Sequence, residues 1–253
     1  MSWALKEKLA GASDVLSRLI YGDFAEAKDG YAYLPQKKLS EVLAFLAWLD
    51  RRQLADGRSY SNTGRILHLA DEDLLDLAGL AREWQVEQLC KDLRHFAYLQ
   101  LLIEPPGREQ TLVLYQLMQL TEWTGKPRKE ERSALLSAIL EHEVELVELQ
   151  RCTPGGQLEA VFGPYADLIA ETATRTLCER KLVQCLSLAS VSQLSEEQEL
   201  EVFRQVKRLG ISKNQLGVLR PAFRIRLYEF FMEQCFHDGK VCDHCMPLYV
   251  FHF

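Results

Sequence analysis

The sequence predicts an all-α protein, a multi-helix bundle of helical pairs with at most a short hairpin near residues 22–35. Three observations predict it. Apolar residues recur at helical spacing in almost every segment, as Leu182, Cys185, Leu186 and Ala189 do at i, i+3, i+4 and i+7. Helix-start chemistry is written out at Ser195-Glu196-Glu197-Gln198, where the Ser hydroxyl can accept from the Gln198 N–H and the Gln198 side chain can reach back to the N-cap. Glycine and proline are few, 14 and 8 in 253 residues, so helices can run long between a small number of breakers. That length suits one large or two small domains. Hydrophobic residues at 47% and charged residues at 26% are ordinary for a globular chain.

Taken in order, residues 2–20 read as one helix with Leu9, Val15, Leu16, Leu19 and Ile20 as its apolar content and Gly11 in its middle. Tyr21 to Pro35, with Gly22, Gly30, Tyr31 and Tyr33, reads as a loop or a short strand pair. Leu39, Val42, Leu43, Leu46 and Leu49 restore the helical period until Asp56-Gly57, and Arg58 to Arg65 is a polar connection. Asp71 stands where an N-cap is expected, followed by Leu74, Leu77, Ala78 and Ala81 on one face. Val86, Leu89, Cys90, Leu93 and Ala97 continue on a helix to about Glu104. Pro105-Pro106-Gly107 is the strongest breaker, and it divides the chain into a helical subdomain at 1–104 and a second at 108–253.

Beyond it, Leu114, Leu117, Met118 and Thr121 form a stripe, and Thr124 to Lys126 breaks it. Pro127 suits a first helical position. Leu135, Leu136, Ile139, Leu140, Val144 and Val147 run on from there to the breaker Thr153-Pro154-Gly155-Gly156. Gly163-Pro164 opens a long helix from Tyr165 to about Ser190. Ser195 then caps a helix striped by Val202, Val206 and Leu209, widened by Leu200 and Phe203. Gly210 ends that helix in a left-handed turn. Ser212 and Gln215 repeat the capping box, with Ile211 and Leu216 as a hydrophobic staple. The last helix starts at Pro221 and runs to about Cys235.

Residues 112–149 and 182–219 share a plan: apolar helix, short break, acidic helix start, second apolar helix. The second helices begin at Arg128-Lys129-Glu130-Glu131 and Ser195-Glu196-Glu197-Gln198. Over roughly the C-terminal half, this resembles the helical pairs of the TerB-like family, in which an Asp-Gly break precedes a Ser-Pro-Glu-Glu-like helix start. The resemblance implies an all-α fold and a stress-related role near membranes, and in that family acidic residues at the break are proposed metal ligands. Here the Asp is missing from both breaks: Gly125 remains in the first, and Ser192-Gln193-Leu194 stands in the second.

Charge and cysteine usage narrow the function. A net charge of −6 argues against general coating of nucleic acid. The 7 cysteines are odd in number, and Cys90, Cys152, Cys178 and Cys185 are scattered, which fits reduced thiols in the cytoplasm rather than a disulfide framework. The charged N-terminus lacks a signal-peptide core, and no apolar run is long enough to span a membrane. Residues 38–104 can be laid out as a helix-turn-helix DNA binder. Asp71, Glu72, Asp73 and Asp76 on its recognition helix would meet phosphates with the wrong sign, so sequence-specific DNA binding is not expected.

Two candidate sites stand out. Between Val202 and Arg226 lie Arg204, Lys207, Arg208, Lys213, Arg220, Arg224 and Arg226 with no Asp or Glu among them, a site for an acidic partner or an anionic surface. The competing reading is that these cations pair with acidic residues of the N-terminal half such as Asp71, Glu72, Asp73 and Asp76. Second, Cys235, His237, Cys242, His244 and Cys245 follow a Cys-x-His-x4-Cys-x2-Cys order, and Cys235, His237, Cys242 and Cys245 are the candidate zinc ligands. Glu141-His142-Glu143 invites a metalloprotease reading, but Leu146 occupies the place of the second histidine. The aromatic tail Pro247 to Phe253 is expected to fold back on its own helices. The expected function is a non-catalytic helical interaction or scaffold protein. The alternative is an enzyme or regulator with a metal-dependent site between helices.

Overall fold

Ser13 decides how the chain begins. Its hydroxyl accepts from the Leu16 N–H at 3.0 Å, the N-cap of a new helix. The helix expected over residues 2–20 is therefore two, α1 (Trp3–Ala10) and α2 (Asp14–Tyr21), turning through Gly11 and Ala12. The apolar period carried across the turn and hid the cap. The computed structural model describes residues 3–22, 37–52, 69–103, 106–153, 155, 157–211 and 215–236. Among these residues all regular structure is helical. The hairpin expected near 22–35, the Asp56-Gly57 stop and the connection at 58–65 fall on residues outside the described ones.

The chain forms two compact units, Met1–Leu135 and Leu136–Phe253. The first holds α1, α2, α3 (Leu39–Arg52), α4 (Asp71–Glu83), α5 (Glu87–Ile103) and α6 (Arg108–Thr121). Helix α4 is its centre, packing on α3, α5 and α6, while α5 also packs on α6. Ala78 and Ala81, fully buried on α4, let the neighbouring backbones approach beside Leu74, Leu77 and Leu80. Pro106 and Gly107 thus turn the chain between helices of one core; a breaker ends a helix without dividing the apolar surface on either side of it. Ala70, not Asp71, holds the N-cap position of α4, and no side chain caps it. Asp71 is the first helical residue, and with Glu72 and Asp73 it meets the positive end of the helix dipole. Gln85, at φ 52°, turns α4 into α5. Phe45, Trp48 and Trp84 close the α3 side, with the Phe45 and Trp84 rings edge-on at 5.2 Å and Trp48 donating to Asp92 at 2.9 Å.

The division between the units falls inside α7 (Lys129–Glu141). Pro127 precedes α7 by two residues instead of opening it. The start is fixed by the Arg128 N–H, which donates to the Glu131 carboxylate at 2.8 Å. Helix α7 also stops early: Glu143 takes φ 50°, and α8 (Leu146–Cys152) begins on a reciprocal box between Glu145 and Glu148. Val144 and Val147 therefore do not continue α7. Glutamate is an unusual cap, which is why the period seemed to run on.

The C-terminal unit continues with α9 (Leu158–Phe162), α10 (Ala166–Arg175), α11 (Glu179–Ala189), α12 (Glu196–Leu209) and α13 (Pro221–Phe236), with a 3₁₀ turn at Gln215–Val218. Helix α10 packs on both α11 and α12. The long helix expected from Tyr165 to Ser190 is broken at Thr176–Cys178 into α10 and α11. The Thr172 and Thr174 hydroxyls donate to the Leu168 and Glu171 carbonyls, competing with the backbone ladder there. Buried Gln205 of α12 then donates to the Thr176 carbonyl at 2.6 Å and holds the broken end. The Ser195–Gln198 capping box forms in both directions, at 2.9 and 3.3 Å. Gly210 adopts φ 68° and ψ 39°, the left-handed stop expected of it. Ile211 and Leu216 are both buried, while Ser212 lies outside the described residues.

Candidate functional site

The basic stretch becomes the last turns of α12 and the first turns of α13. Helix α12 is polarised along its length: Glu196, Glu197 and Glu199 crowd its first turn, and Lys207 and Arg208 its last. Both ends oppose the helix dipole correctly, so the separation of charge serves the helix as well as any partner. Arg226 reaches back from α13 and grips Glu199 with two N–H groups, at 2.6 and 2.9 Å. Arg204 pairs with Glu201 one turn away, and Arg220 with Glu159. The partners of these arginines, Glu201, Glu159 and Glu199, belong to their own unit; in the first unit Asp76 is held by Lys38. Lys207 and Arg224 have no carboxylate partner among the described residues, and Arg208 meets only the Gln205 amide, at 3.3 Å. Lys213 lies outside the described residues. The seven predicted cations thus sort into three neutralised by ion pairs and three left over, with one outside view.

The zinc candidates fall largely out of view. Cys235 lies near the end of α13, its side chain outside the described residues, as are His237, His244, Cys242 and Cys245. Among the described residues, no group of three or more His, Cys, Asp or Glu gathers in a metal-holding arrangement. Glu143, the centre of the metalloprotease-like run, sits in the turn after α7 and pairs with Arg180 at 3.1 Å.

That pair opens onto a feature no motif announced. A cavity of about 730 Å³ lies within the C-terminal unit, walled by the end of α7, α8, α9, α11 and the 3₁₀ turn. Its apolar surface includes Val144, Leu158, Val183 and Leu188, with Val147 and Val218 standing exposed on its lining. Gln150, Gln184, Ser187 and Gln215 add uncharged hydrogen-bonding groups. The charged groups facing it are Glu143, Glu145, Arg180 and Arg220. Arg180 is tied to Glu143, Glu145 to the start of α8, and Arg220 to Glu159. The Glu159 carboxyl is held below its ordinary range first by its own backbone amide and then by the Arg220 guanidinium. The Gln184 side-chain oxygen is shielded from solvent and accepts no hydrogen bond. Sequence reading missed this site because its residues come from four helices and a turn, with no recurring spacing among them.

Comparison with family models, with curated proteins and with solved structures returns no match for this chain.

Proposed function

We propose that the chain is a non-catalytic helical interaction module that docks an acidic partner or an anionic surface through the α12–α13 face. The observation that carries this is the remainder after internal pairing: Lys207, Arg208 and Arg224 keep no carboxylate partner among the described residues, on a stretch without a single Asp or Glu of its own. Cations left unneutralised in a chain of net charge −6 are where an acidic group gains most. The combined variant Lys207→Glu with Arg224→Glu tests it. Binding to poly-glutamate, or to vesicles containing phosphatidylserine, is expected to fall with rising salt and to be lost in the variant. Equal, salt-insensitive binding by both proteins, or no binding to either probe, rejects the face. The two probes distinguish an acidic protein segment from a lipid surface.

A further inference from the structure

We infer that the outer face of α13 binds the same face of a second copy of this chain, with the two helices parallel.

The face exists because α13 is apolar on two sides. Phe223, Leu227, Phe230 and Phe231 are buried inside the C-terminal unit. On the opposite side, Pro221, Ile225, Tyr228 and Met232 follow one another at alternating spacings of four and three residues. That spacing keeps them on one narrow stripe of a helix, as at the a and d positions of a coiled-coil seam. Ile225 is 55% exposed and Met232 40%, so the stripe stays largely uncovered. Single exposed apolar residues need no explanation, but these recur in register over three turns.

The charges beside the stripe say what covers it. Arg224 borders it on one flank and Glu229 on the other. With Ile225 at a and Tyr228 at d, Arg224 takes the g position and Glu229 the following e position. In a parallel pair, g of one helix meets the following e of its partner. Arg224 therefore faces Glu229 of the second copy, and the twofold axis makes the contact twice. An antiparallel pair would set arginine against arginine and glutamate against glutamate, so sign fixes the direction. Arg224 has no carboxylate partner among the described residues. Arg226, which precedes Glu229 by one turn, has its guanidinium held by Glu199. A uniformly acidic partner would match only one flank of the stripe. A second copy matches both, and isoleucine at a favours two strands.

The seam runs for ~17 Å of helix from Pro221 to Met232. That is a small contact beside the roughly 800 Å² per partner of a stable complex, so the pair is reversible and depends on concentration. The pairing goes beyond the anionic-partner reading. The two share Arg224, while Lys207 and Arg208 belong to α12. Glu229→Arg separates them, because it opposes the pair yet adds positive charge for poly-glutamate to meet.

Sedimentation equilibrium over roughly 1–500 μM tests the pairing in the full chain. The native chain is expected to move from monomer to dimer as concentration rises. Arg224→Glu and Glu229→Arg should each weaken the dimer about tenfold, since two attractive contacts become two repulsive ones. Arg224→Glu combined with Glu229→Arg should restore it, because the exchanged charges again meet their opposites. Ile225→Glu with Met232→Glu should leave only monomer. Thermal melts of the monomeric variants should match that of the native chain at low concentration, as these side chains lie at the surface. A native chain that stays monomeric throughout, single variants that pair as well as the native chain, or a double charge exchange as weak as either single variant would each overturn the proposal. The native concentration dependence is read without any variant.

Discussion

Phe203 is 3% exposed, its ring edge-on to Phe223 at 5.4 Å and tilted against Phe230 at 5.7 Å. It lies where the apolar stripe of the sequence put it, so periodicity alone located the centre of this aromatic cluster. Phe203→Asp removes the ring contacts and buries a carboxylate with no partner in reach. The loss is expected to be at least about 3–5 kcal/mol. Thermal melting followed by circular dichroism checks it, and a melt like that of the native chain would place Phe203 outside the core. Arg94 is the opposite case, a residue whose role no pattern shows. It is buried on α5, and its guanidinium donates to the Thr121 carbonyl and, at 3.0 Å, to the Thr124 hydroxyl, fastening the end of α6. An arginine among Leu93, Phe96 and Ala97 looks from the sequence like an exposed position on a helix. Arg94→Ala is expected to lower stability by about 1–3 kcal/mol by stripping a donor from the buried helix end. Denaturant unfolding would read the change, and an unaltered midpoint would mean the contact carries no weight.

At the scale of the element, what was legible was whatever local chemistry specifies by itself. Ser195 with Gln198 and Gly210 bracket α12, and both ends formed as written. A Cβ at Gly210 would meet no atom within 4 Å, so substitution there costs only the left-handed backbone. Gly210→Ala is expected to destabilise by about 1 kcal/mol, and Ser195→Ala by a similar amount. Both are measured by urea unfolding. A larger loss in Gly210→Ala would imply crowding that the structure does not contain. What was not legible were helix breaks that keep the apolar period in phase. The turns at Ser13, Glu143 and Thr176 each interrupt a helix without interrupting the stripe, because a short turn can return the chain to the same buried surface. Their causes are local hydrogen bonds: a serine cap, a glutamate box and threonine hydroxyls on backbone carbonyls. The cavity was hidden for a stronger reason, since it exists only once α8, α9 and α11 are packed and none of its residues is unusual on its own helix.

At the scale of the whole molecule, each unit carries its own buried thiol. Cys90 lies on α5 in the first and Cys185 on α11 in the second, both fully buried, whereas Cys178 is exposed in the turn before α11. Burial pushes the Cys90 thiol up to about 11 and the Cys185 thiol up to about 12, because the loss of water around a thiolate outweighs the opposing pull of Arg94 and Arg82 on the first and of Lys181 on the second. Unfolded, both would ionise near the ordinary value of 9.0. Their contribution to stability is therefore complete below that value. It is lost as the pH rises through about 11 for Cys90 and about 12 for Cys185, so alkali should weaken both cores. The thiolate is the reacting species in alkylation, so protonation and burial protect the same two residues. With iodoacetamide at about pH 8, Cys178 is expected to be labelled in the native protein while Cys90 and Cys185 are not. In increasing urea, each protected thiol should become reactive only when the unit around it opens. Peptide mapping by mass spectrometry then gives one unfolding curve for Cys90 and one for Cys185, each reporting its own core. Rapid native labelling of Cys185 would show that the α10–α11–α12 packing opens without unfolding, and would contradict its placement in a closed core.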